Sequence, residues 1–108
     1  MISPKIQDAI NAQINAEFWS AYLYLAMAMH FESEGLHGIA NWFRIQFKEE
    51  QAHAEIFINY LLSRGGRVAL ASIAGVPDSW ESPLAAYEDT LAQDRKSTRL
   101  NSSHSQIS

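Results

Sequence analysis

The chain has 108 residues, 47% of them hydrophobic, with twelve acidic, eight basic and four histidine side chains and no cysteine. That is the size of one domain, and the lack of thiols excludes a disulfide-stapled scaffold, zinc–thiolate sites and a cysteine nucleophile. A formal charge of −4 argues against nucleic-acid or anionic-membrane binding, which need a basic face, and suits cations. No apolar run approaches the roughly 18 residues of a membrane span. The opening residues Met1–Lys5 hold no apolar stretch of a secretory signal, so a soluble cytoplasmic protein is expected.

Residues 4–34 read as one long helix. Ser3 is a good N-cap and Pro4 suits the first turn. The interior is rich in Ala, Leu, Met, Gln and Glu, and Gly35 is a natural stop. A short turn over residues 36–38 leads to a second long helix over 39–63, which Arg64, Gly65 and Gly66 end. Two long helices joined by so few residues predict an antiparallel hairpin. Residues 67–82 read as a crossover to the other end of that hairpin, anchored by Val68, Leu70, Ile73 and Trp80. Ser82 and Pro83 open a third helix, with Leu84, Tyr87 and Leu91 at 3–4 spacing on its apolar stripe. Two helices cannot bury a deep core, so this apolar content implies further helical partners.

The character changes at Asp94. Residues 94–108 have no apolar periodicity and hold three of the eight Lys/Arg but one of the twelve acids, leaving residues 1–93 with five basic and eleven acidic side chains, a net of −6. As composition this is a polar, disordered tail. The run Asp94 to His104 also resembles, in eleven consecutive residues, the translation of a common sequencing-library adapter. The chain therefore divides into a domain over 1–93 and an artefactual tail over 94–108.

The chemistry lies on two stripes. Along the first helix, Ile10, Ile14, Glu17, Ala21, Tyr24, Ala28 and Phe31 share a face; along the second, Phe43, Phe47, Glu50, Ala54, Phe57 and Leu61 do so. Each stripe is apolar or aromatic except for one carboxylate near its middle. A buried carboxylate is costly unless paired, protonated or metal-bound, and neither stripe carries a Lys or Arg. His53 lies three residues after Glu50 and can point to the same spot. Two carboxylates and an imidazole form a donor set for iron, manganese or zinc, and not for calcium or copper(I). The bland alternatives are a protonated core acid at Glu17 and a surface pair at Glu50 and His53. Glu49 points some 100° from Glu50, as a solvated charge or a further ligand at the edge of the site. Tyr24 is either core filling or a donor and electron source near the metal. His30 and His37 read as surface residues, and Phe18, Trp19, Met27 and Trp42 as packing or subunit-contact residues.

Three stretches, Gln13 to Tyr24, Phe47 to Glu55 and Leu62 to Leu70, together with Glu81-Ser82-Pro83-Leu84, resemble the bacterial non-haem ferritins in register over residues 1–93. The resemblance implies an all-α, ferritin-like four-helix bundle with one long crossover, here truncated to its first two helices and the start of the third. It implies that Glu17, Glu50 and His53 bind the first iron of a di-iron carboxylate centre, that Glu50 bridges to the second, that Glu49 serves an accessory site and that Tyr24 stands beside the centre. The family's next ligand, a glutamate, falls at Asp94 in the tail, and that role is not transferred. Bacterioferritins carry a haem-ligating Met after the bridging Glu; here Gln51 stands there, so no haem is expected.

The implied activity is a ferroxidase: Fe(II) is oxidised by dioxygen or peroxide and stored as mineral inside a homo-oligomeric shell of twenty-four subunits. The chain is expected to be inactive alone and to expose large apolar faces. A bacterioferritin-like protein or other di-iron peroxidase is the near alternative, and a non-catalytic helical interaction module the distant one.

Overall fold

The computed structural model describes residues 2–93 and, among them, three helices and no strand. Helix α1 spans Pro4–Ser33 and helix α2 spans His37–Ser63; residues 83–93 form α3. The adapter-like run and Asp94 lie outside the described residues. No helix among the described residues is long and apolar enough to cross a membrane.

The ends of α1 follow from local chemistry. Ser3 Oγ accepts from Ile6 N at 3.2 Å, and Pro4 occupies the first turn, where a missing N–H leaves nothing unsatisfied. At the other end Gly35 takes φ +78°. That left-handed turn lets Gly35 N donate to Glu32 O and Leu36 N to Phe31 O, at 3.0 and 2.9 Å. Helix α2 closes in the same way: Gly65 has φ +74°, Gly65 N donates to Leu62 O and Gly66 N to Leu61 O. The turn between the helices is tighter than the sequence predicts, because α2 begins at His37 with Leu36 as its cap. Gly38 thus lies inside the first turn of α2, where its backbone freedom costs less than in a helix interior.

The helices pack as an antiparallel hairpin with two separate apolar clusters. One lies toward the α1–α2 turn and gathers Leu23, Tyr24, Met27, Ala28, Phe31, Ala40 and Phe43, with Trp80 and Ala86 from later in the chain. Phe31 and Phe43 stack there at 5.7 Å between centroids. The other lies toward the open end and gathers Ile10, Ile14 and Leu61, with Phe18, Phe57 and Val68 against them.

Residues 64–82 run the length of the hairpin without helix. They are fastened to α1 by a row of side chains spaced four apart. Gln7 Oε1 accepts from Arg67 N at 2.9 Å, Asn11 donates to Arg67 O and accepts from Ala69 N, Asn15 donates to Ser72 O, and Trp19 donates to Gly75 O. Four helical residues advance about 6 Å and two extended residues nearly the same distance. Amides four apart on a helix can therefore meet successive backbone groups of a strap running alongside. The strap runs in the same direction as α1, so it returns the chain to the turn end, as the crossover reading requires.

Two apolar expectations hold in part: Val68, Trp80 and Tyr87 pack against the core, while the other named residues do not. Leu70 and Ile73 are exposed and do not anchor the crossover; the amide row does, because backbone groups need partners wherever the side chains point. On α3 the buried positions are Ala86 and Thr90, while Leu84 and Leu91 are exposed. Ser82 Oγ does cap α3, accepting from Ala85 N at 3.1 Å. Tyr87 packs against Phe43 with ring centroids 5.5 Å apart, and the two leucines of its stripe turn outward.

Asn11→Ala is expected to cost about 1 kcal/mol, and to speed hydrogen exchange at the Ala69 amide while leaving the α2 interior protected. Exposed Leu84 and Leu91, with Ile45 and Ile56 on α2, form apolar surface that drives association. Size-exclusion chromatography of the 108-residue chain should show species larger than the 12.1 kDa monomer and no uniform shell.

Candidate metal centre

Helix α1 presents all seven stripe residues, Ile10 to Phe31, as buried. Glu17 therefore sits in the interior, its side chain 3% exposed. On α2 the stripe is less enclosed: Phe43, Ala54 and Leu61 are buried, Phe47, Glu50 and Phe57 half-buried. The Glu50 side chain is 13% exposed and that of His53 52%. Both acids lie along their helices between the two apolar clusters, so packing on either side fixes the stretch that carries them.

The three side chains converge. His53 Nδ1 stands 3.5 Å from Glu17 Oε2 and 3.6 Å from Glu50 Oε2. One ligand atom from each residue lies within 4.8 Å of the other two. Two bonds of about 2.1 Å, typical of carboxylate and imidazole ligands, span at most about 4.2 Å, so a small side-chain adjustment would let all three reach one ion. Glu17 Oε2 is buried and accepts no hydrogen bond among the described residues. Two carboxylates aimed at one imidazole nitrogen repel each other, and a single proton on Nδ1 can satisfy only one of them. A divalent cation relieves both difficulties, and two hard oxygens with one imidazole suit Fe(II), Mn(II) or Zn(II). The donor set fits a metal.

The other candidates separate. Glu49 is exposed on α2 and stands outside the three-residue group. Tyr24 is buried on the Glu17 face, two helical turns along α1 within the turn-end cluster. His37 is on the surface, paired with Glu32 at 2.9 Å.

His30 corrects its surface reading. Its side chain is 12% exposed, and its Nε2 lies 3.2 Å from Glu34 Oε1 and 3.0 Å from Trp80 O. Trp80 N donates to the same Nε2 at 3.4 Å, so both backbone groups of Trp80 lie against the imidazole. His30 thereby ties the end of the crossover to α1. Its signal was its place on the strap-facing side of α1, eleven residues after Trp19.

One polar residue of the site went unread in the sequence. Gln13, buried on α1, donates from Nε2 to Glu17 Oε1 at 2.8 Å. The signal was present: an amide one turn before the lone acid of an apolar stripe.

Residues 7–105 match the Ferritin-like domain family. The chain belongs to that family. A bacterial non-heme ferritin of Bacteroides fragilis (strain 638R) is 43% identical over 100 residues, covering 93% of this chain and 63% of the relative. One of Staphylococcus aureus (strain USA300) is 33% identical over 99 residues, covering 92% and 60%. Among solved structures, an open pore ferritin from the hyperthermophilic archaeon Archaeoglobus fulgidus superimposes with a TM-score of 0.96 at 43% identity, covering 99% of this chain and 66% of that one. The chain thus spans less than two thirds of the length of the curated relatives it matches.

A cation that binds the folded chain alone stabilises it by about 2.7 kcal/mol at one hundred times its Kd. Zn(II) is therefore expected to raise the unfolding midpoint, and above its Kd the rise should grow with the logarithm of its concentration. Glu17→Gln and His53→Ala should each remove most of that rise, as thermal denaturation with and without chelator would show.

Proposed function

We propose that this chain is part of an iron-storage subunit, and that Glu17, Glu50 and His53 receive Fe(II) for oxidation at a di-iron carboxylate centre. The observation that carries the reading is the meeting of two carboxylates and an imidazole within 4.8 Å between two apolar clusters. Ferritin relatives and ferritin structures over most of the chain support it. Glu50, less enclosed than Glu17, is the acid suited to bridge toward a second ion. In this reading the remaining ligands of that ion come from chain beyond residue 93.

Iron is substrate here. Two Fe(II) held side by side give up one electron each, reducing dioxygen to the level of peroxide, or peroxide to water; protons from solvent balance the charge. Hard carboxylates favour the Fe(III) product over Fe(II) and so favour the oxidation. Buried Tyr24, on the same face of α1 as Glu17, would act as an auxiliary electron donor. Exposed Glu49 would serve an accessory ion on its way in or out. The acidic surplus of residues 1–93 draws cations toward the protein, and a cytoplasmic homo-oligomeric shell would hold the mineral. Gln51 beside Glu50 offers no haem ligand, which favours this reading over a bacterioferritin-like one.

Anaerobic Fe(II) titration of the chain, followed by equilibrium dialysis, is expected to saturate at a single ion and to lose that saturation in Glu50→Gln. Extended to the full length of its relatives, the protein should hold a pair and give the absorbance of Fe(III) on addition of dioxygen. No saturable oxidation in the extended protein would remove the ferroxidase reading. No Fe(II) binding in either form would leave a helical interaction module with structural acids.

A further inference from the structure

The metal-site reading leaves Gln13 without a role. Its side chain is 1% exposed, and its amide nitrogen donates to Glu17 Oε1 at 2.8 Å across one turn of α1. The direction of the amide is fixed by chemistry. An ionised carboxylate only accepts, so the NH2 group must face it; the reverse orientation would set two oxygens against each other.

That orientation leaves Gln13 Oε1 buried and without a hydrogen bond among the described residues. An apolar side chain of the same size would fill the space without burying a lone acceptor, as Ile10 and Ile14 do on either side. The amide is a poor packing group, and what accounts for it is the bond to Glu17.

This bond divides the two oxygens of Glu17. Oε1 is held by Gln13, while Oε2 faces His53 Nδ1 at 3.5 Å, the nitrogen that Glu50 Oε2 also approaches. We infer that Gln13 is a positioning residue, whose amide locks the Glu17 carboxylate so that Oε2 alone is presented to the cation. The inference rests on the metal-site reading. Glu17 then binds through one oxygen, and the side-chain freedom a glutamate would otherwise lose on binding is already lost in the folded protein.

Co(II) is the probe, because its visible absorption reports ligand number and geometry. Gln13→Met and Gln13→Leu keep the volume and helical preference of the residue and remove its donor. In the 108-residue chain, with helicity unchanged by circular dichroism, both are expected to raise the Co(II) Kd by about ten- to a hundred-fold, the usual effect of losing a hydrogen bond behind a metal ligand. Both should also shift the visible band, because a released carboxylate can bind through both oxygens. His53→Ala, measured in parallel, should lose the band. If the Gln13 variants keep parental affinity and spectrum while His53→Ala loses binding, the positioning role is overturned and the site stands. Weaker binding with an unshifted band marks general softening and also overturns it. If His53→Ala binds Co(II) as the parent does, the site reading itself fails, and this inference with it.

Discussion

The antiparallel register of α1 and α2 is the constraint on which the molecule depends. It places Glu17 against Glu50 and His53 and does so in the gap between two apolar clusters, Phe31 and Phe43 toward the turn, Ile10, Ile14 and Leu61 toward the open end. Burial of those side chains supplies the free energy that brings two acids together against their repulsion. The same burial lowers the local dielectric, so a cation arriving there meets charges that water screens weakly. A slip of one residue between the helices would rotate Glu50 away from Glu17 and leave a buried acid with nothing to bind.

The crossover stabilises that register from outside. Gln7, Asn11, Asn15 and Trp19 hold its backbone along α1, and His30 holds its far end at Trp80. The strap delivers α3 to the turn end, where Ala86 packs against the cluster of Phe31 and Phe43 and Trp80 Nε1 donates to Asp89. It leaves the His53 side of the site open and the leucines of α3 outward. The half of the site that α1 supplies is therefore enclosed, and the half that α2 supplies is open at His53.

Membership of the ferritin-like family and the convergence of Glu17, Glu50 and His53 point the same way. The family match is a statement about the fold; the convergence of Glu17, Glu50 and His53 is a statement about side chains. Neither fold nor donor set alone makes an iron site: a bundle can carry structural acids, and surface acids with a histidine are common without a metal. Their coincidence in the interior of this hairpin is what gives the functional reading its force.

Much of this was legible in the amino-acid order. The 3–4 spacing of apolar residues sets two long helices, and Ser3, Pro4, Gly35, Gly65 and Ser82 mark their ends through donors, ring closure and left-handed backbone that few other residues supply. A single acid in each apolar stripe names Glu17 and Glu50, and the i, i+3 relation adds His53. What remained hidden depends on neighbours distant in the chain. That Gln7, Asn11 and Asn15 fasten a strap, that His30 is covered by Trp80, and that Leu84 and Leu91 face outward while Ala86 goes in are matters of which segments meet. Helical periodicity identifies faces but not what lies against them; Gln13 is different, because its partner Glu17 lies one turn along the same helix and the pair is visible in the sequence.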